Sequence, residues 1–319
     1  MSEQFPCVLT TGPLLPALQQ VLEERYKVIE LWRTQASRQL SAEDGARVEA
    51  VVTTGVHGAS RALIAQLPAL RAIVCFGVGV DAIDLAAAHE RDVQVSNTPD
   101  VLNNCVADSA MALLLAVARQ VVKADRFVRD QRWGSERFGL TTALGGKTCG
   151  IVGMGPIGRA IADRAVAFGM TVKYSTRTAR SDLTYSYCES VAQLAAQSDF
   201  LLLALPGGAA TSGLVGREVL DALGPKGILV NVARGTVLDQ PALIEALLQG
   251  RIGGAGLDVF ADEPHVPQSL RELDNVVLSP HIASGTVETR QAMADCVLAN
   301  LDALFATGKV LHPVVASEN

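Results

Sequence analysis

The chain has few aromatic and few charged side chains for its 319 residues. Aromatic residues make up 4% of the sequence and charged residues 19%, whereas hydrophobic residues reach 49% and are mostly Ala, Val and Leu. The formal net charge is −6, so the basic surface of a nucleic-acid-binding protein is not expected. An aliphatic composition of this kind suits helices packed on parallel sheets.

Segments for targeting and for redox chemistry are also missing. Residues Met1–Pro6 offer no basic segment followed by an apolar core, so a secretory signal is not expected. The longest apolar runs stop short of the ~20 residues that cross a bilayer. No two cysteines form a C-x-x-C pair; they stand at Cys7, Cys75, Cys105, Cys149, Cys188 and Cys296. We therefore expect a cytoplasmic protein with reduced, structural cysteines, no metal and no membrane contact.

Aliphatic runs alternate with helix-like segments throughout, which predicts an α/β architecture. Early strands are predicted at Cys7–Thr10, Lys27–Leu31, Ala50–Thr53, Ala72–Phe76 and Val93–Ser96. A second series is predicted at Thr148–Val152, Met170–Tyr174, Phe200–Leu205, Ile228–Val232, Ala255–Val259 and Val276–Leu278. The first series predicts a compact α/β unit, and the second matches a doubly wound parallel sheet.

A long helix is predicted between the two series, from roughly Asn103 to Arg129. It is apolar around much of its circumference. A helix of that character must be buried, either between domains or against a second copy of the chain. A last helix is predicted over about Thr286–Ala306.

Residues 149–160 have the pattern of a strand, a G-x-G-x-x-G turn and a helix. Gly153 allows the tight turn, Gly155 lets a pyrophosphate approach the backbone, and Gly158 allows the helix to pack closely on the strand. Pro156 in the first helical turn costs no hydrogen bond. The helix N-terminus supplies N–H groups and the positive end of a dipole. The segment predicts dinucleotide binding, with an ordinary glycine turn as the alternative.

The next strand of such a fold usually ends in an acidic residue that binds the ribose hydroxyls of the cofactor. Residues 172–180, VKYSTRTAR, contain no acid. They offer Ser175 and Thr176 instead, together with Arg177 and Arg180. The segment is a broken site, a site built for a different cofactor, or a solvated basic loop.

Three later strands end in polar residues, at the edge where open α/β sheets bind ligands. Arg234 suits a planar carboxylate, which it can bind through two parallel hydrogen bonds, although a surface pairing with Asp239 is an alternative. Asp258 and Glu263 follow the next strand, and His281 the last. A glutamate hydrogen-bonded to a histidine fixes the tautomer of the ring and makes it a proton donor near neutral pH. Taken alone, His281 could be a capping or core residue, but the order Arg, Glu, His behind a dinucleotide turn favours catalysis.

Four motifs resemble those of the D-isomer-specific 2-hydroxyacid dehydrogenase family. They are GMGPIG at 153–158, NVARG at 231–235, GLDVFADEP at 256–264 and SPHIASGT at 279–286. The resemblance runs over nearly the whole chain. Within the family the chain is similar to the glyoxylate/hydroxypyruvate reductase branch, which includes 2-ketogluconate and hydroxyphenylpyruvate reductases.

The resemblance implies roles for individual residues and no metal. Arg234 would bind the substrate carboxylate and polarise the carbonyl, His281 would be the acid/base, and Glu263 its partner. The implied substrate-binding residues are Val56, His57, Val78, Gly79 and Arg234. The implied cofactor-binding residues are Gly153, Gly155, Pro156, Ile157, Gly158, Ser175, Thr176, Arg177, Leu205, Pro206, Thr211, Val232, Ala233, Arg234, Asp258, His281 and Ser284.

The resemblance also implies two Rossmann-like or flavodoxin-like α/β domains with parallel sheets and an active-site cleft between them. Residues 1–98 and 285–319 would form a discontinuous substrate-binding domain, and residues 99–284 a dinucleotide-binding Rossmann domain. The apolar helix from residue 103 fits the dimer interface of the family, so we expect a homodimer through residues 103–145. Trp133 would lie near the substrate pocket or pack in that interface.

Because the acidic residue is missing, we expect NADPH to be the cofactor. In NAD-preferring relatives a carboxylate stands where Thr176 stands here, and it would repel the 2′-phosphate of NADP. Hydroxyl groups and Arg177 would bind that phosphate, with Arg180 assisting.

The expected reaction is reduction of a small 2-oxoacid of the glyoxylate or hydroxypyruvate type to the D-2-hydroxyacid. Reduction of 2-ketogluconate or hydroxyphenylpyruvate, phosphoglycerate dehydrogenase activity, and a dinucleotide-sensing regulator on the same fold stay open.

Overall fold

The chain divides into two units, each with its own sheet. A computed structural model describes residues 5–33 and 40–314. Met1–Leu102 and Thr286–Asn319 form the first unit, and Asn103–Gly285 forms the second. Up to Leu102 the described elements are β1 (Cys7–Thr10), α1 (Pro16–Arg25), β2 (Lys27–Glu30), α2 (Ala42–Gly45), β3 (Val48–Thr54), α3 (Arg61–Ala65), β4 (Ala72–Phe76), α4 (Leu85–His89) and β5 (Gln94–Ser96).

The second unit contains the elements that carry most of the predicted site. They are α5 (Asn103–Ala118), α6 (Val121–Arg129), β6 (Thr148–Val152), α7 (Pro156–Ala167), β7 (Thr171–Ser175), β8 (Ser186–Tyr187), α8 (Val191–Ala196), β9 (Phe200–Leu203), α9 (Arg217–Leu223), β10 (Ile228–Asn231), α10 (Gln240–Leu248), β11 (Gly254–Leu257), α11 (Gln268–Arg271) and β12 (Val276–Leu278). The chain then returns to the first unit with α12 (Val287–Thr307).

All neighbouring strands in both sheets run parallel. The described strands of the first unit have the order β2-β1-β3-β4-β5, and those of the second β12-β11-β10-β9-β6-β7-β8. The chain order of the second sheet reverses at β6, which lies between β7 and β9. Ligands of doubly wound sheets bind at such a reversal, beyond the carboxyl ends of the strands. The predicted α/β class is confirmed.

The predicted strands are present, with small differences at their ends. Most of them are buried runs of apolar residues, whereas β2 and β12 are only partly buried. β8 was not predicted, since it has only two residues, Ser186 and Tyr187, and pairs at the sheet edge with β7. Edge strands of this length lack the hydrophobic run on which sequence prediction depends.

The single long helix predicted from Asn103 to Arg129 is wrong. It is broken into α5 and α6, because Gln120 takes a left-handed conformation at φ 50°. No single helix in the described residues is long and apolar enough to cross a membrane. α5 and α6 pass that test only together, and they are bent by 58° at the break.

The apolar face of α5 is buried within its own unit, against α7, β10 and β11. Two glycines of β11 allow this close packing. A Cβ on Gly254 would lie 2.8 Å from a methyl group of Val117, and a Cβ on Gly256 would lie 2.9 Å from Leu113. Neither of the two predicted environments, between domains or against a second copy, is needed to bury α5, and that part of the prediction is corrected.

Candidate active site

The glycine-rich turn joins β6 to α7 and leaves room for a diphosphate. Gly153 has φ +92°, and a Cβ there would lie 2.5 Å from the carbonyl oxygen of Ala204. A Cβ on Gly158 would lie 2.1 Å from the carbonyl oxygen of Gly153. Both positions therefore require glycine. A Cβ on Gly155, in contrast, would meet no atom of the described residues within 4 Å.

The space beside Gly155 lies at the N-terminus of α7, which begins at Pro156 and continues through Ile157. The first N–H groups of a helix have no partner within it, and the helix dipole favours an anion there. An open position in front of a twelve-residue helix thus fits the pyrophosphate of a dinucleotide.

The loop after β7 is held by two tyrosines. The Tyr174 hydroxyl accepts a hydrogen bond from the Arg180 N–H at 2.9 Å, and the Tyr187 hydroxyl donates to the Thr176 carbonyl at 3.3 Å. Thr176 donates its own hydroxyl to the Thr178 carbonyl at 2.7 Å. Arg177 is exposed and makes no ion pair within the part of the chain that the structure describes.

β7 ends at Ser175, a buried serine, and not at an acidic residue. The arrangement has hydroxyl groups and an unshielded guanidinium in place of a ribose-binding carboxylate.

The remaining candidate cofactor residues follow β9, β10 and β12 at the same sheet edge. Leu205 and Pro206 follow β9 after Ala204, and the Thr211 hydroxyl donates to the Pro206 carbonyl at 2.8 Å. Val232 and Ala233 are buried after β10, and Ser284 is partly exposed after β12. Since the strands are parallel, these residues share an edge with the glycine-rich turn.

Arg234 lies in a braced turn after β10. The fully buried Asn231 side chain donates to the Arg234 carbonyl at 2.9 Å and accepts from the Ala233 N–H at 3.0 Å. The guanidinium donates to the Ala233 carbonyl at 2.7 Å. A Cβ on Gly235 would lie 1.9 Å from the Phe260 carbonyl oxygen, so the turns after β10 and β11 are packed backbone to backbone.

His281 and Glu263 form a hydrogen-bonded pair in which His281 Nδ1 lies 2.6 Å from Glu263 Oε2. The other carboxylate oxygen, Oε1, accepts from the Phe260 N–H at 2.9 Å. Burial alone would raise the pKa of Glu263. The hydrogen bonds from His281 and Phe260, together with the charges of His281 and Arg234, outweigh it and hold the pKa below its ordinary value. The carboxylate is therefore ionised at neutral pH, and Nε2 is the ring atom of His281 available for proton exchange.

The backbone of His281 is left-handed, at φ 52°, and Asp258 holds it there. The nearly fully buried carboxylate of Asp258 accepts from the Ser279 hydroxyl at 2.6 Å and from the N–H groups of Ile282 and Ala283, each at 2.9 Å. The Asp258 carbonyl accepts from the His281 N–H at 2.9 Å. Asp258 thus binds both sides of the histidine turn.

Helix α5 also supports this turn. The Cys105 thiol and the Ser109 hydroxyl both donate to the Ala283 carbonyl, at 3.1 and 3.2 Å. Sequence reasoning assigned no role to Ser109, Ser279 or Asn231, and to Cys105 only that of a reduced, structural cysteine. The one available signal was Asn231, a polar residue at the end of an aliphatic strand.

Two loops of the first unit carry the candidate substrate residues. Thr54 Oγ1 accepts from the N–H groups of Val56 and His57, at 3.3 and 3.2 Å, and lies 2.9 Å from His57 Nδ1. Both Val56 and His57 are exposed.

The second loop follows β4 and is braced by Asn97 and Thr98. Asn97 donates its amide to the Val78 carbonyl at 2.9 Å, and the Thr98 N–H donates to the Gly77 carbonyl at 3.0 Å. The Cys75 thiol donates to the Gly79 carbonyl at 3.4 Å. Val78 and Gly79 are partly exposed.

In the second unit, one sheet edge therefore carries a diphosphate-binding turn, a guanidinium and an ionised glutamate paired with a histidine. This combination defines an oxidoreductase that binds a nicotinamide dinucleotide. Residues 111–283 match the family model for the NAD-binding domain of D-isomer-specific 2-hydroxyacid dehydrogenases. The chain belongs to that family.

Similar proteins cover almost the whole chain. It is 46% identical over 308 residues to hydroxyphenylpyruvate reductase of Plectranthus scutellarioides, covering 97% of this chain and 98% of that protein. Glyoxylate/hydroxypyruvate reductase A of Arabidopsis thaliana gives the same identity and coverage. The crystal structure of an NADPH-dependent glyoxylate/hydroxypyruvate reductase from Sinorhizobium meliloti, in complex with NADP and malonate, has 41% identity and a TM-score of 0.92. That comparison covers 98% of this chain and 97% of the other.

Proposed function

We propose that this enzyme reduces a small 2-oxoacid to the D-2-hydroxyacid with NADPH. The observation that carries the proposal is the His281–Glu263 pair, 2.6 Å apart, on the same sheet edge as Arg234 and the glycine-rich turn. The similarity to glyoxylate/hydroxypyruvate and hydroxyphenylpyruvate reductases supports both the reaction and its direction.

The proposed mechanism divides the work among three side chains. When NADPH is bound, it supplies the hydride. His281, protonated and fixed through Nδ1 by Glu263, donates the Nε2 proton to the oxygen of the 2-oxo group. Arg234 binds the carboxylate and stabilises the charge that develops on that oxygen. Asn231 and Asp258 keep the two groups oriented, so part of the acceleration comes from positioning.

We assign the substrate role to the first unit and the dinucleotide role to the second. The match of residues 111–283 to an NAD-binding domain supports the second assignment. In the first unit, the proposed substrate-binding residues are Val56, His57, Val78 and Gly79. The polar loop that contains His57 favours short or hydroxylated 2-oxoacids.

The preference for NADPH is proposed from the loop after β7. An exposed Arg177 next to Thr176, with no acid at the strand end, suits a 2′-phosphate better than a 2′-hydroxyl. The complex of the Sinorhizobium meliloti enzyme with NADP supports the same preference.

We also propose a homodimer. Because α5 is buried within its own unit, the proposed interface is narrower than the predicted residues 103–145. We define the α6 surface as the exposed apolar side chains of Val121, Val122, Val128, Trp133 and Leu140. Trp133 is 75% exposed and Leu140 fully exposed. Large apolar side chains at this exposure are typical of surfaces that bind another protein.

The reaction is tested with a panel of glyoxylate, hydroxypyruvate, 2-ketogluconate, hydroxyphenylpyruvate and 3-phosphohydroxypyruvate, each with NADPH and with NADH. We expect the highest kcat/KM for NADPH with glyoxylate or hydroxypyruvate. Tight NADPH binding without turnover of any 2-oxoacid would contradict the proposal and favour a dinucleotide-sensing regulator.

A further inference from the structure

Asp182 lies between two arginines that flank the proposed 2′-phosphate site. Its Oδ2 is 2.6 Å from Arg159 Nη2, and its Oδ1 is 3.3 Å from Arg180 Nε. The hydrogen bond from Arg159, with that from Arg180, holds the pKa of Asp182 below its ordinary value, so the carboxylate is charged at neutral pH.

The three residues come from the two segments that surround the cofactor fingerprint. Arg159 lies in the first turns of α7, where its N–H donates to the Gly155 carbonyl at 2.9 Å. Arg180 and Asp182 belong to the loop after β7, which also carries Arg177. Asp182 therefore links the helix of the glycine-rich turn to the arginine loop and neutralises part of the positive charge there.

The shape of the loop does not depend on this link. Its backbone is fixed by the hydroxyls of Tyr174 and Tyr187, and Tyr174 is almost fully buried. Asp182, in contrast, has a side chain that is 55% exposed. Exposed ion pairs contribute little to stability. The main effect of the carboxylate is on the charge and availability of Arg159 and Arg180.

We propose that Asp182 limits the affinity of this site for a 2′-phosphate by engaging Arg159 and Arg180. Arg177 is then the arginine of the loop whose guanidinium can bind a phosphate without competition from an acidic residue. The inference rests on the proposed use of NADPH and adds a residue that tunes it. A phosphate dianion must compete with Asp182 for the two arginines, and removing the carboxylate removes that competition.

The test measures dissociation constants of the full chain by calorimetry, with NADP⁺, NAD⁺ and adenosine 2′-phosphate as probes. Asp182→Asn should lower the dissociation constants for NADP⁺ and adenosine 2′-phosphate about three- to tenfold, because one negative charge near the phosphate is lost. The constant for NAD⁺ should change less than about twofold, and added salt should shrink the gain because these charges are exposed. Most of the gain should disappear in the double variant Asp182→Asn/Arg180→Ala.

Glu218→Gln is the matched control, since it removes one negative charge from an exposed position at the start of α9 in the same unit. It should leave all three constants unchanged. An unchanged or weaker affinity of Asp182→Asn for the 2′-phosphate probes would overturn the inference, as would an equal gain in Glu218→Gln.

Arg177→Ala separates this inference from the proposed cofactor preference. If the unmodified chain binds NADP⁺ more tightly than NAD⁺ and Arg177→Ala removes that difference, the preference stands whatever Asp182→Asn does. If the unmodified chain does not favour NADP⁺, the preference fails and the role of Asp182 fails with it.

Discussion

At the scale of single residues, the central feature is a histidine whose position and tautomer are both imposed by acids. Glu263 binds Nδ1 of His281, and Asp258 accepts hydrogen bonds from the N–H groups of Ile282 and Ala283 and from the Ser279 hydroxyl, on either side of His281. A left-handed histidine is uncommon, so its conformation needs such support. The two acids have different roles, since Glu263 fixes the ring of His281 and Asp258 holds the turn.

Glu263→Gln should lower kcat for 2-oxoacid reduction by about 10- to 100-fold, part of the ~10²–10⁴-fold that a positioned general acid contributes. Glutamine keeps the shape but carries no charge, so Nδ1 of His281 loses the carboxylate that fixes the tautomer and orientation of the ring. Steady-state kinetics with hydroxypyruvate measure the loss, and turnover near that of the unmodified enzyme would contradict the role of Glu263.

The same substitution has a second, structural consequence. The folded-state pKa of Glu263 is lowered, so its ionised form stabilises the fold above the unfolded-state pKa, and that contribution is lost as pH falls through the folded-state value. The difference in Tm between the unmodified chain and Glu263→Gln should narrow as the pH is lowered from neutral through that range. A difference that grows on acidification would show that the pair does not stabilise the charged carboxylate.

At the scale of elements, the site depends on how closely consecutive turns pack at the carboxyl edge of the second sheet. Gly235 is the tightest of these contacts, because a side chain there would overlap the Phe260 backbone. Phe260 in turn donates its N–H to Glu263. One glycine thus fixes the distance between the turn of Arg234 and the turn of Glu263.

Gly235→Ala should destabilise the second unit by about 1–3 kcal/mol, as overpacking typically does. It should also raise KM for the 2-oxoacid and lower kcat together, because both turns must move. Gly134→Ala is the control, since a Cβ there meets no described atom within 4 Å. Chemical denaturation and steady-state kinetics of both variants measure the effect, and equal behaviour of the two would contradict it.

The sequence predicts a helix or strand well where burial requires a run of apolar residues. β4 and β6 have the predicted bounds, because parallel strands that are buried almost throughout are nearly uninterrupted apolar runs. The break at Gln120 is not predictable in this way, since neither proline nor glycine marks it. The residues Arg234, Glu263 and His281 stand out as polar groups at apolar strand ends. Their braces do not, because Ser109 and Ser279 act through contacts between elements distant in the chain.

At the scale of the whole molecule, the α6 surface carries the proposed dimer. Leu140→Glu should convert the dimer to a monomer, because a charge would have to be buried at the interface. Leu248→Glu places the same charge on a leucine of α10 that is 62% exposed and outside the α6 surface, and it should leave the mass unchanged. Light scattering after size exclusion gives the masses. A monomeric unmodified chain at micromolar concentration would refute the dimer.

The most direct test of the account is the effect of His281→Ala on catalysis and on cofactor binding, measured on the same preparation. NADPH binding is followed by calorimetry, and turnover by the loss of reduced nicotinamide absorbance with hydroxypyruvate. We expect kcat to fall by about 10²–10⁴-fold, the contribution of a positioned general acid, while the dissociation constant of NADPH changes little. Turnover near that of the unmodified enzyme, with NADPH still bound, would contradict the role of His281 as the proton donor.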